Sequence, residues 1–306
     1  MKSKQATHMI SRADLNSDLP CRVEGIYMVF VENESLFRLS LFLGVLLIMA
    51  VWEMVSPMRE LNATKLLRWS SNLGLVVLNA LALRILLPLT AAGAATIAQE
   101  NGWGFFHIVD IPFSPWIVGL ITVIFLDLAV YWQHVLFHVV PPLWRFHLVH
   151  HADPDIDVTT GLRFHTMEIL ISMGLKISLV LALGPPAWAV ILFEMVLNST
   201  AMFNHSNVRL PESVDRFLRL FLVTPDMHRV HHSTNLTEAN TNFGFNLPWW
   251  DRLFRSYRAQ PDRGHKGMTI GLSHLHEHRV VRLYWMLLLP FITKPGNEPA
   301  GTDLKR

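Results

Sequence analysis

The chain has 306 residues, 51% hydrophobic and 16% charged, with a formal net charge of +2. Soluble domains carry about 25% charged residues, so this balance predicts a multispanning membrane protein. The single cysteine, Cys21, excludes an intramolecular disulfide framework and a cysteine metal cluster, and no basic run points to nucleic acid.

Residues 1–35 read as a mixed-charge, mostly polar arm, with no cleavable signal peptide expected. Residues 36–55 are the first predicted span, close to the ~20 apolar residues that a bilayer requires. Further spans are predicted over 73–89, 116–132, 168–183 and 187–203. Gly184-Pro185-Pro186 makes a strong turn, so the last two form a hairpin of short, tilted or partial spans. Within it Lys176 precedes Pro185 by nine residues and Glu194 follows it by nine. Equal offsets mean equal depth, and an isolated charge there costs at least ~2.5 kcal/mol. The two are expected to face each other, or both to face the bundle interior; the alternatives are Asp127 as partner for Lys176, or a snorkelling Lys176. The apolar run 283–292 is too short to span, so 283–306 reads as an interfacial segment and tail.

Arg59, Lys65 and Arg68 follow the first span, whereas 90–115, read as a loop, holds no Lys or Arg. The positive-inside rule then places 133–167 and 204–282 together on the cytoplasmic side. The architecture expected is all-α: a membrane bundle and a cytoplasmic helical cap forming one catalytic unit over 36–282.

Histidine is concentrated in that cap. Three boxes stand out: His134-Val-Leu-Phe-His138, His147-Leu-Val-His150-His151 and His228-Arg-Val-His231-His232. Residues three or four apart share a helix face. The outer two histidines of HxxHH share that face, while the middle one points roughly 100° away. Each such box can serve two metals, and eight imidazoles divided evenly give four per metal. Neutral imidazole suits iron, zinc and copper. His205 and His165 are further candidate ligands, each with the alternative of a polar partner or cap at a helix end. Asp153, Asp157, Glu168, Asn207 and Asp226 are candidate acceptors for the second imidazole N–H. His8 and His107 fall on the predicted outer side, and His265 and the run His274, His276, His278 are expected to bind nothing.

The order HxxxH, HxxHH, HxxHH among hydrophobic spans resembles the fatty acid hydroxylase superfamily, the sterol desaturase-like membrane oxygenases. Matching text runs from Asp127 to Tyr257, through Arg163-Phe-His165, His205-Ser-Asn207, Thr224-Pro-Asp226, Asn242-Phe-Gly244 and Trp250-Asp-Arg-Leu-Phe254. Where many relatives read His-Pro-x-Glu, this chain has His165-Thr-Met-Glu168. The resemblance implies a non-haem diiron centre of two iron ions, with zinc in purified protein a substitute. It implies O2-dependent hydroxylation or desaturation of an acyl chain, sterol or ether lipid, in a bacterial inner membrane or endoplasmic reticulum. With no dinucleotide loop, haem or ferredoxin motif in the chain, electrons must come from a cytochrome b5-like or ferredoxin partner. Arg209, Arg216, Arg219, Arg252, Arg255 and Arg258 form a candidate docking face, or merely follow the positive-inside rule. A metal transporter would need ligands inside the spans, and a zinc hydrolase needs fewer histidines and an HExxH that is absent.

Overall fold

A computed structural model describes residues 33–109, 113–275 and 278–293. Most of the amino-terminal arm, with Cys21 and His8, lies outside the described residues, as does His276. Regular structure among the described residues is helical, apart from isolated bridges pairing Pro57 with Val208 and Ser233 with Ile270.

Five stretches are long and apolar enough to cross a membrane. They contain α1 (Glu34–Val55), α2 (Lys65–Leu86), α4 (Pro115–Val139), α6 (Thr166–Leu183) and α7 (Ala187–Asn204). Their outer faces expose Leu47, Ile48, Ile85 and Leu120, each at 60% or more. Buried Arg68, Asp127, Glu168 and Glu194 lie inward. Apolar outside and polar inside is the distribution a lipid solvent selects.

The 90–115 segment is not a plain loop. It forms α3 (Ala91–Asn101), capped by Thr90 Oγ1 and closed by Gly102 in the left-handed conformation. Alanine is the strongest helix former and has no bulk. Ala91, Ala94 and Ala95 pack flat into the core shared with Leu126, Val190 and Phe193. Beyond α3, Gly104 lies so close to the Gly184 turn that a Cβ at either position meets backbone.

The hairpin places Lys176 Nζ 2.8 Å from Glu194 Oε1. A third member, unread in the sequence, joins them: Arg38 of α1 sits 2.7 Å from Glu194 Oε2. Glu194 therefore bridges two cations. Lys176→Met leaves Glu194 paired with Arg38, whereas Glu194→Gln strands Lys176 and leaves Arg38 only its longer contact with Glu34. We expect Glu194→Gln to cost the larger amount, about 3 kcal/mol, and Lys176→Met distinctly less. Adding Lys176→Met to Glu194→Gln should recover part of the loss. Denaturation midpoints of the three variants test this, and equal losses from the two singles refute it.

After α4, Pro141-Pro142 break the rod and start α5 (Pro141–His151), which turns back. α8 (Pro225–His231) carries most of the third box, with Thr224 as its N-cap. Polar contacts pin the cap to the spans. Asp127 accepts from Trp250 Nε1 at 2.8 Å, while Lys176 pairs with Glu194, so the alternative pairing of Lys176 with Asp127 is not the one formed. Glu53, near the end of α1, accepts from the backbone N–H of Val158 and Asn207. Arg68 is fully buried and donates to Asp153 and Asp157 at 2.6 to 2.9 Å. α9 (Leu283–Ile292) buries Met286 and Leu289 against Leu75, Trp144 and Leu148, while Tyr284 and Phe291 stay exposed.

Candidate metal centre

Nine buried histidines form two groups, within each of which the facing ligand atoms lie within 4.8 Å of one another. The first group is His134, His138, His147, His151 and His231; the second is His150, His205, His228 and His232. The helical period accounts for the division. In each HxxHH box the outer pair goes to one group and the middle residue to the other: His147 and His151 against His150, His228 and His232 against His231. The boxes do not divide evenly, however. Five box histidines face the first group and three the second, and His205 at the end of α7 supplies the fourth. The α4 register explains this, since both His134 and His138 point to the same side.

His165 belongs to neither group. It is the N-cap of α6: Nδ1 accepts from the Met167 N–H at 3.1 Å, and Nε2 donates to the Leu287 carbonyl at 3.3 Å. With both nitrogens engaged, its position fits the capping alternative. Asp153 and Asp157 are committed to Arg68, Asp226 to Arg229, and Asn207 to Arg59. Of the acceptors considered, Glu168 alone reaches a clustered histidine, taking the His147 Nδ1–H at 2.7 Å.

The remaining acceptors are backbone carbonyls, which no side-chain pattern reveals. His134 donates Nδ1–H to Phe243 O at 2.8 Å, His231 to Thr241 O at 2.8 Å, and His205 to Ala201 O at 2.7 Å. Each bond fixes the tautomer and leaves Nε2 with its lone pair facing inward. Nε2 of His134, His147 and His231 is buried with no partner. In the second group His205 Nε2 is 3.0 Å from Nε2 of both His150 and His228. Two nitrogens bound at right angles to one ion at about 2.1 Å stand about 3.0 Å apart. Orphaned buried nitrogens, each costing about 1–3 kcal/mol, and this spacing fit two metal ions. Burial also pushes His147, His150, His151, His228, His231 and His232 well below the ordinary imidazole range, and neighbouring histidines push the same way. His205 falls to about 3, chiefly through burial. The site thus holds neutral imidazole, the form that binds metal.

Asn242 lies between two of the carbonyl acceptors, at φ 54°. Its side-chain N–H groups donate to Met227 O and Arg258 O, locking the turn that aims Thr241 O and Phe243 O. Asn tolerates this left-handed conformation; a β-branched residue does not. Asn242→Val should cost about 1–2 kcal/mol and weaken first-group metal retention about tenfold or more. Metal content after dialysis against a chelator checks it, and unchanged retention counts against the assignment.

A cavity of about 580 Å3 adjoins the first group. His134, His147 and Glu168 line it, together with Phe137, Leu126 and Phe193. The wall is mainly aliphatic and aromatic, contributed by spans rather than by the cap. Arg38, Lys176 and Glu194 also line it.

Residues 119–256 match the fatty acid hydroxylase family. An ornithine lipid hydroxylase of Rhizobium tropici is 32% identical over 145 residues, 47% of this chain and 42% of its own length. Human alkylglycerol monooxygenase is 27% identical over 178 residues, 56% of this chain and 37% of its own. The Xenopus tropicalis alkylglycerol monooxygenase is 26% identical over 201 residues, 63% and 43% of the two chains. The stretch similar to the fatty acid hydroxylase family takes in all three boxes and His205. The matched stretch spans well under half the length of these relatives. No solved structure matches.

Proposed function

We propose that this chain is a membrane-bound, O2-dependent non-haem diiron oxygenase that hydroxylates or desaturates a lipid. The observation that carries the reading is the junction of two buried all-histidine clusters with an apolar cavity built from the spans. The relatives named as lipid hydroxylase and alkylglycerol monooxygenase support it. Iron, when bound, supplies the redox chemistry with O2 that an unactivated C–H bond demands; zinc has none. The chain's own residues do the positioning. The nine clustered histidines would hold two ions, with Glu168 and three carbonyls fixing ring orientation. The cavity wall excludes water and lays an apolar chain beside His134 and His147. Electrons enter from a cytochrome b5-like or ferredoxin donor. Three of the six candidate docking arginines are tied up internally: Arg219 with Asp215, Arg252 with Arg219 O, and Arg258 with Asp262. Exposed Arg209, Arg216 and Arg255 are left for an acidic partner. The cap faces the cytoplasm on the charge rule above.

The test is O2 consumption by iron-loaded protein supplied with reductant and membrane lipids, paired with mass spectrometry of lipids from a deletion and an overexpressing strain. A product heavier by one oxygen or lighter by two hydrogens, in proportion to O2 used, is expected. Lipid unchanged in both strains refutes the reading. Metal flux without O2 use would instead mark a transporter, and hydrolysed lipid a zinc enzyme.

A further inference from the structure

The Arg38–Glu194–Lys176 cluster is a poor choice if structure were its whole purpose. Glu194 alone serves two cations, at 2.7 and 2.8 Å, and all three lie within spans. Lys176 and Glu194 are 15% and 9% exposed in their side chains, and Arg38 is 26% exposed. Among the described residues Glu34 balances the formal charge, but it reaches Arg38 at a longer 3.4 Å, with its side chain 27% exposed. A cation paired this loosely in an apolar wall is costly, and an incoming anion that takes the place of Glu34 relieves that cost.

Position gives the loosely paired cation a use. Arg38, Lys176 and Glu194 line the same cavity as His134, His147 and Glu168. Glu168 and Lys176 stand eight residues apart on α6, about 12 Å along the axis. Arg38 lies only four residues from the start of α1, and Glu34 and Ser35 at that start also line the cavity. Met58 and Arg59, just past the other end of α1, bond to Asn207 in the cap. The cavity therefore runs from the histidines toward the opposite end of the bundle, with the cations set back from the metals. Between them the wall holds Val130, Phe137, Met173 and Leu197.

We propose that Arg38 and Lys176 form a headgroup subsite for an anionic lipid, its carboxylate or phosphate held by the two cations and its chain laid toward His134 and His147. The proposal deepens the function above and rests on it for the chemistry at the metals, but the binding event needs no turnover. It also fixes regiochemistry. A head held at the cluster, about 12 Å along α6 from Glu168, puts the reacting carbon well down the chain and not beside the head. Glu194 is then a positioning residue that keeps the two cations converged, and Glu34 yields Arg38 to the ligand.

The experiment measures binding of labelled hexadecanoate, hexadecyl phosphate and hexadecanol to the full chain in neutral detergent, with and without metal. The three share one chain and differ in the head. The expected result is that both anions bind about tenfold more tightly than the alcohol, and that Arg38→Met with Lys176→Met removes the difference. Because that variant leaves Glu194 unpaired, a triple variant adding Glu194→Gln serves as the folded control; it should bind all three alike. Inorganic phosphate is the second arm. If it competes at the concentrations where hexadecyl phosphate binds, the site takes a soluble anion and the lipid proposal fails. Equal binding of alcohol and acid by the unaltered chain, or a preserved preference in the triple variant, also overturns it. Headgroup preference without oxygenation would sink the proposed function and leave the subsite intact.

Discussion

Replacing His150 by alanine is expected to empty one metal position and abolish turnover, while replacing His165 leaves both positions filled. The contrast follows from what each ring touches. His150 Nε2 meets His205 Nε2 at 3.0 Å inside the four-membered group, and no solvent is at hand to take its place, since all four rings are buried. Removing it leaves three nitrogens and a void. His231→Ala should act likewise on the five-membered group, and His205→Ala, outside any box, should be as damaging as a box variant. His165→Ala removes a helix cap, worth about 1 kcal/mol, and should lower thermal stability without changing metal content. Metal analysis of the purified variants decides the matter. Two ions retained in His205→Ala, or one lost in His165→Ala, would reverse these assignments.

Acid should unfold the metal-free protein at a pH where most membrane bundles are indifferent. The imidazoles of His147, His150, His151, His228, His231 and His232 are all held well below their ordinary range in the native state, mainly by burial. In the unfolded chain each titrates near about 6.5. Below that value the unfolded state binds more protons than the native one, so stability falls with falling pH. It is fully present above about pH 6.5 and is lost as pH drops toward the depressed native values, at about 1.4 kcal/mol per unit for each histidine. Several rings acting together exhaust a typical margin of about 5–15 kcal/mol within a unit or two. Bound metal favours the native state and moves the transition to lower pH. Tryptophan fluorescence of metal-free and loaded protein, titrated downward, measures both midpoints. A metal-free cap with native fluorescence near pH 4, or coincident midpoints, would falsify the account.

The spans and the division of the HxxHH boxes were legible because both rest on period alone. Hydropathy over some twenty residues and a 100° turn per residue need no tertiary knowledge. What was not legible depends on partners distant in sequence. Arg68 reads as an inside marker in a loop, yet the fold buries it against Asp153 and Asp157, 85 and 89 residues away. Arg38, near the start of a span, gains its meaning only from Glu194 beside it, 156 residues on. The carbonyls of Ala201, Thr241 and Phe243 are identical in every residue and carry no signature at all. α3 carries no span signal, because eleven residues cannot cross a bilayer and alanine is only weakly apolar. The uneven division of the eight box histidines needed the angle between α4 and α5, which two prolines allow but do not specify.

α7 carries Glu194 near its middle and ends on Asn204, with His205 as its C-cap, and nothing interrupts the helix between them. Eleven residues of fixed rise separate the cation cluster from the second group of nitrogens, about 16 Å. That stretch is a measuring rod. Its length cannot be retuned gradually: one residue inserted advances His205 by about 1.5 Å and swings it by about 100°, which takes the ring out of its cluster altogether. Variation among descendants of this chain must therefore come from the size of the side chains along the cavity wall, the graduations, and not from the length of the rod.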